Sequence, residues 1–190
     1  MAKTQLVDLA QPLSPTIYER IGELTVSFGR LEHMVLLAIK RKLNIPLEKA
    51  VEIYKNFTLG GKLHGKKNNP ANPGLKSFLG SIEGLDDVFD EIKELGNERG
   101  KIMHGLIVTD KDGNTVLSYR NKASKVDPDL LTTLNIRVIT AIVRLNQLIP
   151  IPGLSAGLAS PTSLNITYDP SAIDPHDDPM ADIFQESDTD

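Results

Sequence analysis

An arginine and a histidine stand five residues apart in the segment Asn97-Glu98-Arg99-Gly100-Lys101-Ile102-Met103-His104-Gly105. These two side-chain types match what metal-free cleavage of a phosphodiester requires. An imidazole, with an unperturbed pKa of about 6.5, exchanges a proton near neutral pH, and positioned proton transfer is worth about 10² to 10⁴ in rate. A guanidinium offers a fork of donors to phosphate oxygens as negative charge builds on them. The same residues also have structural uses. Arg99 can bridge to Glu94, Glu98 or another carboxylate, and His104 suits a helix C-terminus. Other chemistries find less support. With no cysteine, thiol catalysis and disulfides are absent. No P-loop, GxGxxG, GxSxG or HExxH pattern occurs, so neither a cofactor nor a metal is expected. His176 with Asp174, Asp177 and Asp178 lacks a rigid frame for a metal ion.

The elements that must position the pair follow from apolar periodicity. Ser14-Pro15 forms a cap and first-turn pair. Ile17, Ile21, Leu24, Phe28, Leu31, Val35 and Ala38 then step at helical spacing, predicting a helix to about Lys42 that ends in Lys40-Arg41-Lys42. Gly22 and Gly29 share one face, which suggests close approach by another backbone. Pro46 opens a shorter helix to about Asn56, and residues 58–74 read as a loop. A long third helix is expected from about Leu75 to Met103. Its inward stripe runs through Leu75, Phe78 or Leu79, Ile82, Leu85, Phe89, Ile92 and Leu95, then meets Arg99 before Ile102 and Met103. A charge on an apolar stripe is the anomaly that singles Arg99 out. Gly80 and Gly84, both placed on that helix, offer a second close-contact face.

Beyond His104-Gly105 the period changes. Leu106–Thr109 and Val116–Tyr119 flank Asp110-Lys111-Asp112-Gly113-Asn114, a hairpin signal. Asp127-Pro128 caps a last helix with Leu131, Leu134, Val138, Ala141 or Ile142, Leu145 and Leu148 inward. On a continuous helix Arg99 and His104 lie about 140° apart. They share a site only if the helix ends between them or a second subunit completes it.

Charge divides the chain. All 21 Lys and Arg precede residue 150, and the last forty-one residues carry carboxylates but no base. Residues 1–149 therefore read as one mildly basic helical domain, and 150–190 as a disordered acidic tail rich in Pro, Ser and Asp. Within that tail, Met180 to Phe184 is a short apolar patch suited at most to docking. No apolar run is long enough to span a bilayer, and the start lacks a secretory signal. No membrane association and a cytoplasmic location are the expectations.

The segment from Arg99 to His104 resembles the R-x4-6-H signature of the HEPN superfamily (higher eukaryote and prokaryote nucleotide-binding domains). The element order over residues 14–148 is similar too: a long opening helix containing FGRLEH, a second helix, a third ending in Arg-x4-His-Gly, a hairpin and a closing helix. The resemblance implies a mainly α, four-helix bundle with a β-hairpin inserted before the last helix. It also implies a homodimeric, metal-independent endoribonuclease of a toxin or defence system, with a possible antitoxin protein as partner. Arg99 would stabilise phosphate charge and His104 would transfer protons, while the RNA 2′-hydroxyl attacks and leaves a cyclic phosphate. The family commonly has a polar residue directly after the arginine, where this chain has Gly100. The alternative is a non-catalytic module of the same fold that binds RNA or protein. Lys62, His64, Lys66 and Lys67 of the loop, with Lys101, are the candidate RNA-binding residues. His33 reads as a surface or interface histidine.

Overall fold

The computed structural model describes residues 13–55, 79–80, 82–110, 112–160 and 163–169. Within them the chain is mainly helical, with small antiparallel strand pairs. Helix α1 spans Pro15–Leu43. The Ser14 hydroxyl accepts from the Ile17 N–H at 3.4 Å, satisfying one donor that the first turn leaves open. At the far end Asn44 adopts φ 51°, a left-handed residue that sends its N–H back to the carbonyls of Arg41 and Lys40. The expected seam is buried throughout except at Ile21, which is half-buried. Met34, Leu37 and Ile39 are buried as well, so the C-terminal half of α1 is covered on more than one side. Helix α2, Leu47–Lys55, packs there and buries Ala50 completely.

Helix α3, Leu85–His104, starts later than its apolar stripe suggests. Gly80 and Gly84 have φ of 76° and 78°, a left-handed backbone that ends helical continuity. The expectation that they form a close-contact face on the third helix is therefore wrong: both precede it. Leu79 and Ile82 still reach the core from this lead-in. Leu75 and Phe78 lie outside the described residues, as does most of the loop before them. Asp86 and Asp87 occupy the first turn, where the helix dipole favours carboxylates. Gly22 and Gly29 also differ from expectation. A Cβ built on either meets nothing within 4 Å, so among the described residues no backbone packs against them.

The three-stranded meander that follows is β1 Leu106–Thr109, β2 Thr115–Tyr119 and β3 Lys122–Lys125, in the order β1-β2-β3. Asp110 organises the first turn, its Oδ1 accepting from the N–H groups of Asp112 at 2.9 Å and Asn114 at 2.8 Å. Arg120 and Asn121 make the second turn, with Tyr119 paired to Lys122 across it. Helix α4, Pro128–Leu148, is capped by the Asp127 carboxylate on the Leu130 N–H at 2.9 Å. It lies against both α1 and α3. The common core joins Leu24, Phe28 and Leu31 of α1 to Phe89 and Ile92 of α3 and to Val138 and Ile142 of α4.

Part of the segment expected to be disordered is ordered. Strands β4 Leu154–Ser160 and β5 Ser163–Tyr168 pair antiparallel, and β4 packs on α4. Ile149 and Ile151 are buried in the main core, with Leu154 and Ala156 partly buried against it. The charge boundary at residue 150 is thus not the packing boundary. The acidic stretch beyond residue 169, with Met180 to Phe184 and His176, lies outside the described residues. No helix among the described residues is long and apolar enough to cross a membrane.

Candidate functional site

Arg99 reaches the edge of the core because Ile92, Leu95 and Ile102 on its side of α3 are buried. The edge it meets belongs to α1. Its Nη1 lies 3.0 Å from Glu32 Oε1, with the two side chains 39% and 32% exposed. The guanidinium carbon sits 6.0 Å from the centroid of the Phe28 ring. The Nε is buried and has no hydrogen-bond partner among the described residues, leaving one of the five donors unsatisfied. Tyr54 of α2 completes this corner. Burial pushes its phenol well above the ordinary tyrosine value, the Glu32 carboxylate adds to the rise, and Arg99 partly opposes it. The phenol stays neutral beside the Arg99–Glu32 ion pair. Beside Glu32 in sequence, His33 is half-buried, and burial lowers its imidazole below the usual value.

His104 is the last residue of α3 and is exposed. The helix continues without a break from Arg99 through His104, so a break between them is not the device that unites the pair. They leave α3 about 140° apart. One α3 thus sends the two side chains to different sides of the helix. The helix ends at Gly105, where the backbone turns extended, and the position has room only for glycine. A Cβ there would come closer than real Cβ atoms do to Leu117 Cδ1 and to the Lys101 carbonyl oxygen. Strand β2 is thereby held tight against the last turn of α3.

The bridges proposed from local sequence are rearranged. Glu98 pairs with Lys101 at 2.5 Å. Glu94 and Glu91 both engage Arg137 of α4, whose Nε donates to Glu91 Oε1 at 2.7 Å and whose Nη2 donates to Glu94 Oε2 at 3.1 Å. These carboxylates raise the Arg137 guanidinium still further above neutral pH, the hydrogen bond to Glu91 most of all. Arg99 is left to Glu32, a partner from another helix that sequence reasoning missed. A signal existed: Glu32 stands four residues after Phe28 on α1, next to the apolar seam.

The opposite side of α3 carries a groove of about 490 Å³. Glu94, Gly96, Asn97, Glu98, Gly100 and Lys101 line it from α3, Tyr119 and Arg120 from the end of β2 and its turn, and Arg137 from α4. Arg120 lies over the Tyr119 ring at 5.1 Å. Lys101 is therefore in a shaped recess, while Lys62, His64, Lys66 and Lys67 lie outside the described residues. No family model, curated protein or solved structure matches this chain.

Proposed function

We propose that this chain is a HEPN-like, metal-independent endoribonuclease of a toxin or defence system, a four-helix bundle acting as a homodimer. One observation carries the reading: α3 ends on an exposed imidazole and, five residues earlier, bears an arginine held, among the described residues, by one half-exposed carboxylate. A pair that exposed contributes about 0–1 kcal/mol. A phosphate that offers two oxygens to the same guanidinium outbids Glu32 at little cost. His104 takes the proton from the 2′-hydroxyl, O2′ bonds to phosphorus and the 5′-oxygen departs with a proton. A 2′,3′-cyclic phosphate remains. Because α3 is continuous, the arginine and histidine serving one phosphate come from two copies that face each other. In the toxin case, a protein that neutralises it is a possible partner.

The second reading is a non-catalytic module that binds RNA or protein. It is favoured by the Arg99–Glu32 pair and by Gly100 at the position where the resembling family carries a polar residue. Incubation of the purified protein with RNA in EDTA separates the two. The enzyme cuts, and Arg99→Ala and His104→Ala each abolish cutting while circular dichroism stays unchanged. Binding without cutting that responds to these variants selects the module.

A further inference from the structure

We propose that the groove on the outer side of α3 seats one unpaired nucleotide of an RNA strand, its base extending the Tyr119–Arg120 stack and its phosphate at Arg120. The proposal rests on the RNA reading above and names a contact which that reading does not contain. At about 490 Å³ the groove falls within the ordinary size of small-ligand sites. Glycine makes the room. A Cβ on Gly100 would meet nothing within 4 Å, so the floor is open space rather than packed core.

The charge pattern limits what fits. Three cations line the groove, but Lys101 is neutralised by Glu98, and Arg137 by Glu91 and Glu94. Of these three, Arg120 alone has no carboxylate partner among the described residues. One free cation suits one phosphate and does not suit the long backbone tract that a duplex presents. Glu94 and Glu98 in the lining also count against an acidic peptide. Specific attraction must come mainly from the flat surface. Tyr119 is half-buried and Arg120 exposed, and aromatic and guanidinium planes are the platform on which unpaired bases stack. Asn97 supplies an amide with both donor and acceptor for a base edge.

The platform is set before any ligand arrives. Arg120 and Asn121 hold φ of 49° and 62°, consecutive left-handed residues that close the two-residue turn between β2 and β3. Such turns match the twist of the strands they join. The joint at Gly105 then fixes β2 against α3. His104 lies four residues after Gly100 and three after Lys101, on the same side of the helix. The groove therefore lies on the side of α3 that leads to the exposed imidazole, though His104 does not line it, whereas Arg99 faces away toward α1.

The test uses the full chain and a fluorescent 2′-O-methyl oligouridine decamer, which lacks the 2′-hydroxyl that cleavage consumes. Fluorescence anisotropy should show binding that Tyr119→Ala and Arg120→Ala each weaken about tenfold. Tyr119→Phe should preserve it, and Gly100→Leu, which fills the floor without disturbing the helix, should remove it. The logarithm of the affinity should fall with that of salt at a slope of about 0.7, as for one phosphate on a single strand. Binding indifferent to all three disruptive variants, no binding of the decamer, or equal affinity for duplex RNA overturns the proposal. If cutting of ordinary RNA still needs Arg99 and His104 while the groove variants change nothing, the groove assignment fails alone. Binding that depends on the groove, with no cutting, leaves the groove assignment standing and removes the nuclease.

Discussion

The two long sides of α3 hold their cations in different ways. Toward α1, Arg99 has one carboxylate, a phenyl ring at 6.0 Å and a buried Nε without a partner. On the outer side, Lys101 and Arg137 are tied to three glutamates at 2.5–3.1 Å, and an aromatic–guanidinium stack takes the place of free charge. On one side a guanidinium rests on a single ion pair among the described residues, and on the other the charges are matched and the exposed feature is a flat stack. A basic residue identified in sequence thus says little until its carboxylates are located.

The largest effect that separates the sides is expected at Gly105. Gly105→Ala forces a methyl group against Leu117 and the Lys101 carbonyl, a crowding that costs about 1–3 kcal/mol. Urea unfolding should report that loss. The groove should suffer with it, since Tyr119 and Arg120 ride on β2, while the Arg99–Glu32 pair should stay. An unchanged midpoint would mean that the sheet is not locked to the helix.

Next is Gly100, where the sign reverses. The residue is in mid-helix with open space around it. Gly100→Ala should stabilise the chain by about 1 kcal/mol, raising Tm by about 2–4 °C. A fall in Tm would show that the space is needed by the fold itself.

Glu32→Gln should have the smallest effect on stability, about 1 kcal/mol or less, with a clear spectroscopic mark. Burial, then Glu32, raises the Tyr54 phenol in the folded chain. A raised folded pKa means that the associated stability is fully present below the unfolded value of about 10. It is lost as pH climbs beyond that value. Glu32→Gln should move the Tyr54 phenolate titration downward, though not to the ordinary value, and make the alkaline loss of stability shallower. Ultraviolet titration against Tyr54→Phe identifies the signal. A titration that does not move would separate Tyr54 from the pair.

Much of this arrangement was legible beforehand for identifiable reasons. The caps at Ser14 and Asp127 and the seams of α1 and α4 follow from local chemistry and periodicity, and each is present. The strands Leu106–Thr109 and Val116–Tyr119 were visible through their turn residues. Strand β3 was not, because Lys-Ala-Ser-Lys is exposed throughout and carries no alternation. The hairpin β4–β5 alternates Leu154, Ala156 and Leu158 opposite Tyr168, Ile166 and Leu164, a period-two signal that the prolines and the acidic run starting at Asp169 obscured. The start of α3 was misplaced because Leu79 and Ile82 keep the helical stripe going through a left-handed break. Arg99 announced itself as a charge on an apolar stripe. Its partner Glu32 depends on how α1 and α3 dock, which no local pattern encodes.

Ile151 bears on how the protein should be dissected. Its side chain is sunk among the same residues that α4 covers, and the ribbon after it folds back so that the Asp169 N–H donates to the Gly153 carbonyl at 2.7 Å. A truncation cut where the basic residues stop would strip a plug from the hydrophobic interior, whereas one made after Asp169 spares it. Loss of solubility in the shorter fragment would then report a missing piece of the fold and say nothing about the acidic residues that follow.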